Sequence, residues 1–90
     1  MIQFEWDHKK AATNRKKHGV SFEEASSVFY DPLSATFDDP DHSRVERRLI
    51  TVGLSSRHRL LVVAYLEKGK HIRIISARQA TAHERKRHED

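Results

Sequence analysis

Leu60-Leu61-Val62-Val63-Ala64-Tyr65-Leu66, followed by Glu67-Lys68-Gly69-Lys70 and by His71-Ile72-Arg73-Ile74-Ile75-Ser76-Ala77-Arg78, is the stretch that decides the fold of this chain. The first run is almost continuously apolar, as a central strand buried on both faces would be. Glu67–Lys70 has hairpin-turn length and places a glycine where a positive φ is useful. The second run is rich in β-branched residues and reads as the returning strand. Side chains alternate along a strand, so Ile72 and Ile74 share one face, and Arg73 and Ile75 the other. Ile72, Ile74 and Ile75 are the expected core residues. A purely structural strand has no need of Arg73 and Arg78, and two guanidinium groups on it point to an anion. By alternation Arg78 shares the parity of Ile72 and Ile74. The two arginines can therefore serve one site only if the strand twists or bends near Ser76-Ala77, or ends before Arg78.

Upstream, Ile50, Val52 and Leu54 alternate with Leu49, Thr51 and Gly53 in a third strand, and Ser55-Ser56-Arg57 makes the turn into Leu60. Leu33–Phe37 reads as a short strand, and Ile2, Phe4 and Trp6 as another with one buried face. Asp7 fits an N-cap for a helix running to about Lys17 or His18, with Gly19 at C′. Asp7, Lys10, Asn14 and Lys17 fall on one face of it, a polar stripe of the kind that is usually solvated. Ser21-Phe22-Glu23-Glu24 is a capping box in which Glu24 reaches back. Phe22, Ala25, Val28 and Phe29 line one face of that second helix, and Asp31-Pro32 stops it. Asp38-Asp39-Pro40-Asp41-His42-Ser43 is an acidic, turn-rich loop. Thr81-x-x-Glu84 opens a last, basic helix through His88, with Glu89-Asp90 fraying. The order β-α-α-β-β-β-β-α predicts a two-layer α+β fold, an antiparallel sheet with helices packed on one face, in a single domain over residues 1–90.

Composition narrows the function. There is no cysteine, which removes disulfide frameworks, cysteine–zinc sites and thiol chemistry. No apolar run approaches a membrane span, and the N-terminus lacks the pattern of a signal peptide, so a soluble cytoplasmic protein without membrane contact is expected. The net charge of +4 is unevenly spread. Residues 1–30 carry five Lys/Arg against four Asp/Glu, residues 31–46 one against five, and residues 47–90 eleven against four. A basic second half suits a polyanion such as RNA or DNA, or an acidic protein; it also suits plain solubility.

Three chemistries compete. A helix–turn–helix around Gly19 is disfavoured by Arg15, where the motif needs a small residue, and by Glu23 and Glu24 at the start of the would-be recognition helix. A metal site is disfavoured because no two of the seven histidines have the i, i+4 spacing that grips zinc, and Asp38–His42 reads better as a solvated loop. The third is metal-free phosphodiester cleavage through the ribose 2′-OH, which needs a base, a cation for the phosphorane and an acid for the leaving oxygen. The chain has those residue types in His18, Glu46, Arg47, Tyr65, Arg73, Arg78 and Glu84. The plainer alternative pairs Glu46 and Glu84 with arginines as surface ion pairs.

At this point the sequence resembles the BrnT family of toxins from bacterial type II toxin–antitoxin pairs. The likeness rests on Phe4-Glu5-Trp6-Asp7 with Lys10 and Asn14, Lys17-His18-Gly19-Val20-Ser21-Phe22-Glu23-Glu24-Ala25, and Phe29-Tyr30-Asp31-Pro32. It continues in Glu46-Arg47, Ile72-Arg73-Ile74-Ile75-Ser76-Ala77-Arg78, Ala80-Thr81 and Glu84-Arg85. The resemblance implies a RelE-like fold and a small ribonuclease that halts translation and growth. It also implies a BrnA-like ribbon–helix–helix antitoxin that neutralises the toxin. The complex would repress its own operon, so that DNA is reached only through the antitoxin. The matching polar positions are His18, Glu46, Arg47, Arg73, Arg78 and Glu84. One position departs: His88 stands where the family commonly has tyrosine, either as a substitute proton donor or as a structural residue. The expected assignment has Arg73 and Arg78 holding the phosphate with Arg47 assisting, and His18 or Glu46 as base. Lys10, Lys17, Arg85, Lys86, Arg87 and His88 would contact RNA, with no metal and no cofactor. The alternative is a nucleic-acid-binding module without catalysis.

Overall fold

The computed structural model describes residues 2–39 and 47–89. Its elements are β1 (Gln3–Glu5), α1 (His8–His18), α2 (Phe22–Ser27), a 3₁₀ turn (Val28–Tyr30), β2 (Ala35–Asp38), β3 (Arg48–Leu54), β4 (Leu60–Lys68), β5 (His71–Gln79) and α3 (Ala82–Glu89). Most of the acidic loop, from Pro40, and the expected base Glu46 lie outside the described residues.

The sheet order is β1-β5-β4-β3-β2. β3, β4 and β5 form the expected antiparallel meander, and β2 adds antiparallel to β3. β1 pairs in parallel with β5, Phe4 opposite Ile72, so the sheet is mixed. The chain leaves β1 through two helices, and such a connection, unlike a hairpin, permits parallel pairing.

Both helix starts follow their caps. The Asp7 carboxylate accepts from the amides of Lys9 and Lys10 at 2.8 and 3.1 Å, and these bonds hold its pKa below the usual carboxylate range. Gly19 ends α1 in the left-handed region at φ 69°, its amide donating to Arg15 O. Ser21 Oγ accepts from the Glu24 amide at 3.0 Å.

The Glu24 side chain, however, does not complete a capping box. It is buried and taken by the β3–β4 hairpin: Arg59 donates Nε at 2.9 Å and a further short bond from Nη2, and Ser55 Oγ donates at 2.7 Å. Those Arg59 bonds hold Glu24 below the usual range against the opposing pull of burial. Arg59 also donates to Gly19 O at 3.1 Å. One ion pair thus clips the α1–α2 turn to the hairpin. Bonds to a guanidinium are stronger than the single amide bond of an exposed cap, so the carboxylate goes to Arg59.

Between helices and sheet, Val20, Phe22, Ala25 and Val28 pack on Leu61, Val63, Ile74 and Ala77, all essentially buried. Trp6 meets Phe22 edge to face at 6.0 Å, and Phe29 meets Tyr65 at 4.8 Å. On β3 the residues facing the helices are Leu49, Thr51 and Gly53, paired with Tyr65, Val63 and Leu61. Gly53 is required by close approach: a Cβ there would stand 2.9 Å from Ser34 Cβ and 3.0 Å from Val28 Cγ1. Gly53→Ala is therefore expected to cost about 1–3 kcal/mol by overpacking. Thermal unfolding checks it, and an unchanged midpoint would refute the close approach.

Candidate anion-binding face

The strands have a second face, away from α1 and α2. Register assigns it Phe37 from β2, Arg48, Ile50, Val52 and Leu54 from β3, and Leu60, Val62, Ala64 and Leu66 from β4. It is apolar along its middle, with Phe37 and Leu54 exposed. Polar side chains come to it from β1 and β5.

The pairing of β4 with β5 shifts where Ala64 faces Ser76 and Tyr65 faces Ile74, leaving Ile75 as an extra residue. Such a bulge bends the strand and inverts the side-chain alternation beyond it. Ile74 and Ala77 both point into the core, so Arg73, opposite Leu66, and Arg78, opposite Val62, both fall on the second face. The bend required near Ser76-Ala77 is this bulge. Of the expected core residues, Ile74 is buried, Ile72 packs at the margin and Ile75, the bulged residue, is half-buried.

Asn14 fixes the strand just beyond the bulge. Its side chain is buried, and Nδ2 donates to Ala77 O at 2.8 Å and to Val20 O at 3.0 Å, while Oδ1 accepts from the Ala77 amide at 3.1 Å. The register of β1 with β5 stops at Arg73, and farther along the side-chain amide of Asn14 serves Ala77 as a neighbouring strand would. The polar stripe of α1 therefore splits: Lys10 and Lys17 are solvated, and Asn14 is structural.

Arg73 and Arg78 are each oriented by a carboxylate. Arg73 Nη1 donates to Glu5 at 2.8 Å, and Arg73 also acts electrostatically on Asp7, as Lys10 does. Arg78 makes a two-pronged contact with Glu84, Nη1 to Oε1 at 2.7 Å and Nη2 to Oε2 at 2.9 Å, plus a longer bond to Gln79 O. A guanidinium has five N–H donors. Among the described residues Arg78 uses three of them and Arg73 one. Leu66 and Val62, their partners, are four residues apart on β4, so the two Cα atoms are roughly 13 Å apart and long side chains can converge between them.

Glu84 closes a complete capping box, Thr81 Oγ1 accepting from its amide and its carboxylate accepting from the Thr81 amide. The Arg78 bonds, helped by that amide, lower its pKa to about 2. Glu84 is thus a fixed counter-ion and too weak a base to take a proton near neutrality. A depressed carboxylate stabilises above its ordinary pKa and loses that contribution as pH falls through the depressed value. The Glu84 carboxyl should remain ionised at about pH 3, where a free glutamate is protonated. A carboxyl-detected NMR titration measures this, and a midpoint at the ordinary value would contradict the geometry.

The remaining residues scatter. Arg47, just outside β3, is exposed, 4.0 Å from Asp38 and 3.7 Å from Glu67. Its neighbour Arg48 stands on the second face, in the row with Leu66 and Arg73, 3.2 Å from Asp39. Reading alternation back along β3 from Leu54, Val52 and Ile50 would have singled out Arg48. Tyr65 turns to the helix side, where its hydroxyl accepts from Thr51 at 3.1 Å, and belongs to the core. His18 is exposed in the last turn of α1, and its side chain has no hydrogen bond or ion pair among the described residues. On α3, Arg85, Lys86 and Arg87 are exposed. His88 borders a hollow of about 450 Å³ with Asp31, Leu33, Leu54, Leu60 and Arg85. The Asp31 carboxyl is held low by the Leu54 and Leu33 amides, and His88 adds to that effect. Among the described residues no group of three or more His, Asp or Glu could hold a metal, and no helix is long and apolar enough to cross a membrane.

The mixed sheet with α1 and α2 packed on one face is an α+β fold of RelE-like topology. Residues 6–84 match the family described as the ribonuclease toxin BrnT of a type II toxin–antitoxin system, and the chain belongs to that family. Membership makes it a ribonuclease toxin, with RNA as substrate and a cognate antitoxin as partner. A crystal structure of the Brucella abortus ribonuclease toxin BrnT has the same fold, with a TM-score of 0.68 and 23% identity over 90% of this chain and 99% of that one. No functionally curated protein matches the chain.

Proposed function

We propose that this toxin is an endoribonuclease that cleaves RNA without a metal ion, on the second face of its sheet. One observation carries the reading: the bulge at Ile75 brings Arg73 and Arg78 to a single apolar-lined face, each held by a carboxylate and each with N–H donors that no described residue takes. In this reading a base takes the proton of a ribose 2′-OH, and the 2′ oxygen attacks the adjacent phosphorus. The P–O5′ bond then breaks, and the leaving oxygen is protonated. Arg73 and Arg78 bind the non-bridging oxygens and stabilise the charge that grows on them, a task suited to the fixed guanidinium fork. Arg47 assists from the sheet end.

His18 or Glu46 is the base. His88 is the proton donor in place of the family's tyrosine, or else a residue that only shapes the hollow beside Asp31. Lys10, Lys17, Arg85, Lys86 and Arg87 attract the RNA backbone. The products carry 2′,3′-cyclic phosphate ends, and the loss of intact RNA in the cytoplasm stops translation and growth. A BrnA-like ribbon–helix–helix antitoxin neutralises the enzyme by covering this cationic face, and the pair represses its own operon through the antitoxin's DNA contacts. Masking of this kind gives tight, salt-sensitive association.

Cleavage of RNA in excess EDTA is the test. Undiminished cutting with cyclic phosphate ends is expected, and loss of activity on chelation would overturn the mechanism. Protein that shifts RNA in a gel without ever shortening it would favour the binding module.

A further inference from the structure

The β3–β4 hairpin, residues 55–59, is unaccounted for by the chemistry above. It carries Arg57, His58 and Arg59 at its tip. Arg59 is consumed by Glu24 and Gly19, but Arg57 is largely exposed, in a loose ion pair with Glu24 at 3.9 Å. His58 sits in the left-handed region at φ 61°, the one non-glycine residue among those described to do so. The Ser55–Arg59 closure enforces that conformation, with the His58 amide on Ser55 O and the Ser55 amide on Arg59 O, both at 2.9 Å. Backbone strain of this kind collects where a side chain has to be aimed.

The surroundings of the tip are basic on both sides. Toward the helix layer, the Arg59–Gly19 bond joins it to the last turn of α1, made of Arg15, Lys16, Lys17 and His18. All four are exposed, and none of them is in an ion pair among the described residues. A helix C-terminus favours a positive charge, but its dipole accounts for far less than three lysines and arginines in one turn. Toward the second face, the Ala80 amide bonds Leu60 O, and α3 begins directly afterwards, its Arg85 and His88 lining one hollow with Leu54 and Leu60. Arg78 stands at this same end of the sheet, opposite Val62.

We propose that the hairpin tip, through Arg57 and His58, joins the basic ends of α1 and α3 into one continuous track for the backbone of a single-stranded RNA, leading to Arg78. The track rests on the ribonuclease reading for the identity of its polyanion and adds Arg15, Lys16, Arg57 and His58 to the RNA-binding surface. Such a surface holds phosphates by charge and binds RNA chains of any sequence.

The test compares Lys16→Gln/Arg57→Gln with Lys68→Gln/Lys70→Gln. The second pair makes the same change in net charge at the opposite end of β4, where the chain turns into β5. Binding of a labelled single-stranded 2′-O-methyl RNA, which has no 2′-OH to react, is measured by anisotropy over a range of salt. Cleavage of a long RNA and of a trinucleotide is measured in parallel. Each phosphate that a cation neutralises on a single strand adds roughly 0.7 to the slope of log affinity against log salt, so the Lys16/Arg57 pair should lower that slope by about 1.4. It should weaken cleavage of the long RNA about tenfold or more and leave the trinucleotide unchanged. The Lys68/Lys70 pair should keep the wild-type slope. Equal slopes for the two pairs would overturn the track, as would weakened binding of an acidic partner protein with RNA binding intact. Wild-type protein that cuts neither substrate, with the slope difference preserved, would reject the ribonuclease reading and leave the track standing.

Discussion

Arg78→Ala should lower RNA cleavage by about two to three orders of magnitude, the usual effect of removing one fixed donor from a developing oxyanion. The substitution also releases Glu84, and with it the anchor of α3, so the charge and the anchor have to be separated. Glu84→Gln does this: it weakens the anchor and leaves the guanidinium in place. Its cleavage rate should stay within about tenfold of wild type, since its effect is on orientation alone. Arg78→Lys keeps the charge but loses the fork, and should fall between the two. Single-turnover rates on one RNA, with folding verified by circular dichroism, order the three variants. A folded Arg78→Ala protein that cuts at the wild-type rate would remove Arg78 from the chemistry, and equal losses in Arg78→Ala and Glu84→Gln would reduce it to a strut for α3.

The second large effect is on stability. Asn14→Ala should destabilise the protein by about 3 kcal/mol or more. The variant leaves the Ala77 amide, the Ala77 carbonyl and the Val20 carbonyl without partners in places that exclude water, and each stranded group costs about 1–3 kcal/mol. For a domain of this size that lowers the unfolding midpoint by about 12 °C or more. Asn14→Asp sharpens the test. It keeps the acceptor for the Ala77 amide but turns a carboxylate toward two carbonyl oxygens, so it should be no better than alanine near neutrality and should recover as the pH is lowered and the carboxyl takes a proton. Denaturant melts at several pH values decide this. An alanine variant as stable as wild type would mean that the side chain does not bridge α1 and β5.

Most of the architecture could be read from local pattern. The apolar run Leu60–Leu66, the Gly69 turn and the β-branched return define the meander, while Asp7, Gly19, Ser21 and Thr81 mark helix ends. What escaped were features set by partners distant in sequence. Asn14 has the same spacing as a solvated residue, and it is Ala77, 63 positions away, together with the Val20 carbonyl that makes it structural. Glu24 fits a capping box locally, but Arg59 competes for it and wins because a buried carboxylate needs a cation. Gly53 looks like an ordinary strand position until Ser34 and Val28 close on it. In β3 the strongly apolar set Ile50, Val52 and Leu54 lies on the second face, and Leu49, Thr51 and Gly53 take the helix side, so alternation identifies two faces without saying which the helices cover. In the site, Arg73 and Arg78 are recognisable because arginine is out of place in a core strand. Arg48 is hidden by the more conspicuous Glu46-Arg47 pair beside it.

β5 is best regarded as two half-strands out of phase by one residue. Four residues separate Arg73 from Arg78, a count that in an unbroken pleat would send them to opposite sides. They share a side because the chain is one residue longer than its partner between those points. The arrangement is therefore encoded in length as well as in side-chain identity. Many residues could replace Ile75 and preserve the frame, and even its deletion would restore a regular pleat with an even offset that keeps Arg78 opposite Val62 on the second face. For this segment the severe change is a pairing that absorbs the extra residue without a bulge, because only that shift would turn Arg78 toward the helices.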